Sequence, residues 1–265
     1  FNVNYKLFIL KLKHGDILLF IAANWKMYLD KSGVEEFSNI IQTHKFNDKI
    51  KTCIFPSNVY ISHLKKLVKN LEISVGAQNC HYETKGAFTG EVSSYFLKDI
   101  GCEYVILGHS ERRSINKESN FHVQKCVSSA IDSNLIPIIC VGESIKDREN
   151  GNALDFVTKQ VNESLPKSFE NIIIAYEPVW SIGTGKIPSK IEIEEMHKHI
   201  KDLISLRYNK SIKVLYGGSV NSSNVSDILL VDNVDGFLIG GASLKAKDFL
   251  AIYSSTVKHL DKFSF

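Results

Sequence analysis

The sequence has no apolar stretch approaching the roughly 18 consecutive residues that a membrane-spanning helix needs, which excludes an integral helical membrane protein. Its five cysteines (Cys53, Cys80, Cys102, Cys126 and Cys140) are an odd number with no Cys-x-x-Cys pair. That speaks against a disulfide framework or a zinc knuckle and predicts a reducing compartment. No His-Glu-x-x-His occurs among nine histidines, and His197 and His199 stand two apart in a helical pattern, where they cannot share a face. No metal site is expected. Blocks of like charge are missing too: 32 basic and 29 acidic residues are spread along the chain for a net charge of +3, which disfavours nucleic acid and leaves a small anionic substrate compatible. Gly183-Thr184-Gly185-Lys186 has the look of a phosphate-binding P-loop, but Trp180 stands where that motif needs its first glycine and Ile187 where it needs Ser or Thr.

What is present is alternation. Eight short aliphatic runs, LLFIAANW (18–25), TCIFP (52–56), ISVGAQN (73–79), EYVILGHS (103–110), LIPIICVGE (135–143), NIIIAYEP (171–178), IKVLYGGS (212–219) and VDGFLIGG (234–241), are separated by amphipathic segments. VEEFSNIIQ, VSDILLV and KIEIEEMHKHIKDLISL are such segments, the last with Ile193, Met196, Ile200, Leu203 and Ile204 on one helical face. Eight strand–helix alternations without a linker or low-complexity stretch favour an α/β fold, a single (β/α)8 barrel over residues 17–265, rather than a doubly wound sheet. Residues 1–16 form an N-terminal extension in which Lys6, Lys11 and Lys13 precede the first acid, Asp16. It reads either as an extra strand or chosen boundary or as the remainder of a targeting sequence, so the compartment expected is a plastid-type organelle or the cytoplasm.

The polar residues gather at C-terminal strand ends, the face on which a barrel carries its active site: Asn24 and Lys26, Asn79, His109, Glu177, Gly217 to Ser219, and Gly240 with Gly241. Glu177 could be an ordinary loop acid. Pro178, Val179 and Trp180, however, offer apolar cover that would raise its proton affinity toward that of a general base. His109 could merely satisfy a local hydrogen bond, but Ser110-Glu111-Arg112-Arg113 can open a short helix whose positive end would lower the imidazole pKa. Lys26 could snorkel to solvent, or supply a fixed positive charge for a dianion and a developing enolate. The paired glycines could be turns, or backbone N–H donors for a phosphate after strands seven and eight. Together these groups suit proton abstraction beside a carbonyl in a small phosphorylated substrate.

AANWKM, GAQN followed by GAFTGEVS, YVILGHSERR, CVGE, AYEPVWSIGTGK, YGGSV and GFLIGGASL run in order from about residue 20 to 255, and the sequence resembles the triosephosphate isomerases. The resemblance implies interconversion of dihydroxyacetone phosphate and D-glyceraldehyde 3-phosphate without cofactor or metal. Glu177 would be the base, and neutral His109, with Lys26 and Asn24, would stabilise the enediolate; Glu111 and Cys140 match supporting positions. Backbone N–H groups of Gly183, Ser219, Gly240 and Gly241 would hold the phosphate, and residues 178–188 would form a lid. The family is itself a standard illustration of such pKa tuning and lid closure, so these roles come with the resemblance. It also implies a homodimer, with Thr89 and Glu91 in the loop that enters the neighbouring subunit. The chain departs from the family pattern at Tyr28, which bears on interface packing, at Ser181, at Ile187-Pro188, which bears on lid kinetics, and in its N-terminal leader. A different phosphosugar barrel isomerase would share the phosphate site but not Lys26, His109 and Glu177 together. A non-catalytic barrel kept as a scaffold would have lost one of them.

Overall fold

The computed structural model describes residues 19–181 and 187–263. Eight strands occur among them: β1 (Leu19–Asn24), β2 (Ile50–Phe55), β3 (Ile73–Val75), β4 (Tyr104–Leu107), β5 (Ile136–Val141), β6 (Ile173–Tyr176), β7 (Lys213–Tyr216) and β8 (Gly236–Ile239). They form one parallel sheet in the order β3-β2-β1-β8-β7-β6-β5-β4. The ends of that order meet at a seam, where Ala77 bridges Val105. There the Glu103 N–H donates to Val75 O at 3.2 Å, Ala77 N–H to Tyr104 O at 3.0 Å and Ile106 N–H to Ala77 O at 2.9 Å. The sheet thereby closes into the expected (β/α)8 barrel. Its helices are α1 (Lys31–Ile41), α2 (Ile61–Leu67), α3 (Ser94–Asp99), α4 (Ser110–Ile115), α5 (Asn120–Asp132), α6 (Ile145–Glu149), α7 (Ala153–Ser164), α8 (Lys190–Tyr208), α9 (Val225–Ile228) and α10 (Ala246–Phe263). The extension at 1–16 lies outside the described residues.

Strands buried on both faces read as near-continuous apolar runs, and these do, interrupted only by Asn24, Lys51, Thr52, Ser74 and Lys213. Along β1, Phe20 and Ala22 belong to the barrel interior with Phe55, Ile106, Ile138, Ala175, Leu215 and Leu238, while Leu19, Ile21 and Ala23 pack outward against the helices. The helical period is equally plain in α8, where Ile193, Met196, Ile200 and Ile204 are buried. Its start is set by a capping box: the Ser189 hydroxyl accepts from Glu192 N–H at 3.2 Å, and the Glu192 carboxylate accepts from Ser189 N–H at 2.7 Å. VSDILLV is helical only over α9, because Leu230 and Val231 turn back through i→i−3 bonds to Asp227 O and Ile228 O. That turn sends Leu229 and Val231 into the core on either side of exposed Leu230. All five cysteines are free and buried.

His197 is fully buried on α8 near the rings of Tyr176 and Tyr216, and its Nδ1 lies 3.2 Å from the Asn233 carbonyl. Burial, helped by the Lys201 charge, pulls its pKa down to about 3 against the weaker opposing pull of Asn233. The folded chain thus leaves the imidazole unprotonated where the unfolded chain, below a pKa of about 6.5, takes the proton. The unfolded state then binds more protons, and stability falls as pH drops through this window. We expect a contribution of about 2 kcal/mol to be lost between pH 6.5 and pH 5. Urea unfolding of the parent chain and His197→Gln across that range checks this; parallel profiles would sink it.

Candidate active site

The turn after β1 is built tightly. Asn24 is buried, and its side-chain oxygen accepts the Lys26 N–H at 3.0 Å. Lys26 itself sits at φ 53°, a left-handed conformation uncommon for a residue with a Cβ. Its carbonyl is fixed by the Gln78 amide at 2.7 Å and the Ser57 hydroxyl at 3.2 Å. Trp25 between them is fully buried against Phe37 and donates its indole N–H to Ser243 O at 3.0 Å, which ties the end of β1 to the Gly241–Ser243 turn after β8. From this anchored backbone the Lys26 ammonium reaches the Glu111 carboxylate at 2.6 Å.

His109 caps α4. The Glu111 N–H donates to its Nδ1 at 3.2 Å, so in the neutral imidazole the proton is on Nε2, which lies 3.0 Å from Glu177 Oε1. The other carboxylate oxygen, Oε2, accepts the Ser110 N–H at 3.0 Å. Glu177 enters from β6, where its own N–H continues the ladder to Val141 O at 2.7 Å. Both side chains are almost wholly buried, at 2% and 6% exposure.

These contacts reverse two electrostatic expectations. Burial alone would push the Glu177 carboxyl up, as anticipated from Pro178 to Trp180, but His109, the Ser110 amide and the Cys140 thiol outweigh it and hold it below the usual carboxylate range. Moreover, Val179 is 40% exposed, and the Trp180 indole donates to Glu143 at 2.9 Å. Burial likewise favours neutral His109, but the Glu177 charge pulls its pKa above the usual value. The partner carboxylate, invisible in the local sequence, overrides the helix-end effect.

One cavity of about 610 Å3 gathers Asn24, Lys26, His109, Glu111, Glu177, Ser219, Gly240 and Gly241. Two of its glycines make room as well as offering backbone: a Cβ on Gly217 would stand 2.9 Å from Glu177 Cγ, and one on Gly240 would stand 3.1 Å from Lys26 Cε. Cys140 is fully buried in the barrel interior. Gly183 lies outside the described residues. Asn79 does not line the cavity; Gln78 beside it is the residue that steadies Lys26. Thr89 and Glu91 are exposed in the loop between β3 and α3, away from the cavity lining.

Residues 19–256 match the triosephosphate isomerase family profile. The chain belongs to the triosephosphate isomerase family. A triosephosphate isomerase from Francisella tularensis subsp. mediasiatica is 41% identical over 248 residues, covering 90% of this chain and 97% of that protein. One from Alkaliphilus oremlandii is 40% identical over 240 residues, covering 88% and 97%. The crystal structure of the Bartonella henselae triosephosphate isomerase superposes with a TM-score of 0.83 at 37% identity, covering 91% of this chain and all of that one. Three of the positions expected to depart from the triosephosphate isomerase pattern lie among the described residues of the site's surroundings. Tyr28 lines the cavity and is 59% exposed, Ser181 is fully buried with its carbonyl accepting from the Ser219 hydroxyl at 2.9 Å, and Pro188 is buried directly before the α8 cap.

Sequence reasoning missed the support beneath the Val179–Ser181 turn. Glu143, fully buried, accepts from Arg148 Nε at 2.7 Å, from the Tyr176 hydroxyl at 3.1 Å and from Trp180, while its carbonyl accepts the Val179 N–H at 3.1 Å. The signal was there in CVGE, an acid closing a strand at the barrel's catalytic face.

Proposed function

We propose that this enzyme interconverts dihydroxyacetone phosphate and D-glyceraldehyde 3-phosphate through an enediolate, with Glu177 as the base and His109 as the electrophile. The observation that carries the reading is the 3.0 Å approach of the buried His109 Nε2 and Glu177 carboxylate in a cavity that also holds Lys26. Glu177 removes a proton from the carbon bearing the hydroxyl and returns it to the neighbouring carbon. The Nε2–H of neutral His109 bonds the carbonyl oxygen and shuttles protons between the two oxygens of the enediolate. Lys26 offsets the negative charge, in a buried site where a fixed cation acts strongly, and Asn24 and Glu111 hold it there through the bonds to its N–H and its ammonium. Backbone N–H groups of Ser219, Gly240 and Gly241, with Gly183 from the expected lid, bind the phosphate. Substrate entry must draw Glu177 from its bonds to His109 and Ser110. Once they are lost, burial raises the carboxyl toward the proton affinity a base needs and favours the neutral imidazole of His109.

We further propose a homodimer in which the loop bearing Thr89 and Glu91 enters the neighbouring subunit. Exposed Phe88, Tyr95 and Phe96 around that loop, with Met27 and Tyr28 at the cavity, support it. Purified protein is expected to isomerise both triose phosphates without added metal or nucleotide, and light scattering to give twice the chain mass. A monomeric or inactive preparation of correctly folded protein would remove the corresponding half of the proposal.

A further inference from the structure

Glu177 is a partition. Among the described residues it is the one common to the lining of the large cavity and that of a second cavity of about 220 Å3 between β4, β5 and the helices α4 and α7. The second cavity has apolar walls at Val141, Phe156 and Val179, and Phe156 and Val179 are 37% and 40% exposed, which opens a way in from the surface.

Three polar groups on its lining have unused capacity. The Arg113 guanidinium donates to Gly108 O at 2.7 Å, Asn120 Oδ1 at 2.6 Å, Cys140 O at 3.2 Å and Ser164 Oγ at 3.2 Å. Every one of these acceptors is neutral, and a guanidinium has a fifth N–H to give. The side-chain oxygen of buried Gln160 accepts the Gly142 N–H at 2.8 Å, which assigns the amide orientation and leaves its NH2 group without an acceptor among the described residues. The Ser110 N–H is bound to Glu177, but the Ser110 hydroxyl has no partner among the described residues.

We propose that this second cavity is a ligand site for a small neutral molecule, a carbonyl or amide acceptor on a flat apolar body, and that its occupancy slows isomerisation by keeping Glu177 on Ser110. The donors of Arg113 and Gln160 call for an acceptor, and the walls call for an apolar body. An anion would face the Glu177 carboxylate and a cation the Arg113 guanidinium, so the occupant is neutral. An apolar cavity of about 150 Å3 takes benzene, so this one has space for a ring and one polar substituent. The effect on turnover rests on Glu177 being the base; binding does not.

Benzamide is the probe. With isotope-labelled protein and no substrate, it is expected to shift the Gln160 side-chain amide resonances saturably, with Kd on the order of 1 mM. Benzoate, of the same shape but charged, should bind at least ~10-fold more weakly. Phe156→Ala should weaken benzamide about 10-fold and Phe156→Leu, which keeps the wall apolar, by less. In steady-state kinetics benzamide should lower kcat and leave KM within about twofold, since it does not compete for the larger cavity. Unshifted Gln160 resonances, equal binding of benzoate, or inhibition purely competitive with the triose phosphate would each overturn the proposal. Because binding is read without turnover, a failed base assignment shows separately, as an active Glu177→Asp enzyme that still binds benzamide.

Discussion

Glu177→Asp is expected to lower kcat by about 10²- to 10³-fold while KM moves less than about threefold. The substitution keeps the charge and the chemistry of a carboxylate but withdraws it by one methylene from a position fixed on β6 by the Glu177 N–H bond to Val141 O. A displacement of about 1 Å at the reacting atoms costs roughly 10²-fold in rate. Nothing in the shorter side chain alters the backbone around Ser219, Gly240 and Gly241, so phosphate binding and hence KM should be retained. Steady-state kinetics in both directions measures this. A variant with parental kcat would remove Glu177 from the reaction, and one whose loss lies wholly in KM would recast it as a binding group.

Gly142→Ala should be severely damaging for a single added methyl. A Cβ built on Gly142 falls 1.6 Å from the Glu177 carbonyl oxygen and 2.5 Å from its carbonyl carbon. These are backbone atoms one residue past the β5–β6 ladder, where the Glu177 N–H is bound to Val141 O, so no rotamer change relieves the clash, and the strand ends must part where Glu177 is anchored. We expect a loss of about 3 kcal/mol or more, at the upper end for overpacking, together with a fall in kcat as Glu177 shifts relative to His109. Urea midpoints at matched protein concentration and kcat of the folded fraction test it. Parental values for both would mean that the two strands separate at little cost.

The sequence carried the barrel because strands buried on both faces and amphipathic helices each leave their own periodicity, as in β1 and α8. It carried Lys26, His109 and Glu177 because strand ends converge on one face, a rule of topology that needs no distances. The directions of the Glu177 and His109 pKa shifts were not legible. Each depends on the other across 68 positions of chain, and the local context of each gave the opposite sign. The second cavity escaped for the same reason. Arg113, Phe156 and Gln160 belong to helices whose patterns announce packing, and only the fold turns them toward the back of Glu177.

The seam between β3 and β4 has a mechanical consequence. If the barrel is a ring of staves, this joint and the β7–β8 joint, each with a single paired position, are the least tightly laced. His109 and Glu177 are linked through β5 by unbroken ladders that include neither joint, so a transient split would leave their 3.0 Å contact standing. Lys26 rides on β1, across the gap, and its contact with Glu111 would stretch first. The site is therefore graded in durability: His109 and Glu177 behave as one piece, and Lys26 is carried by a strand on the other side of the crack.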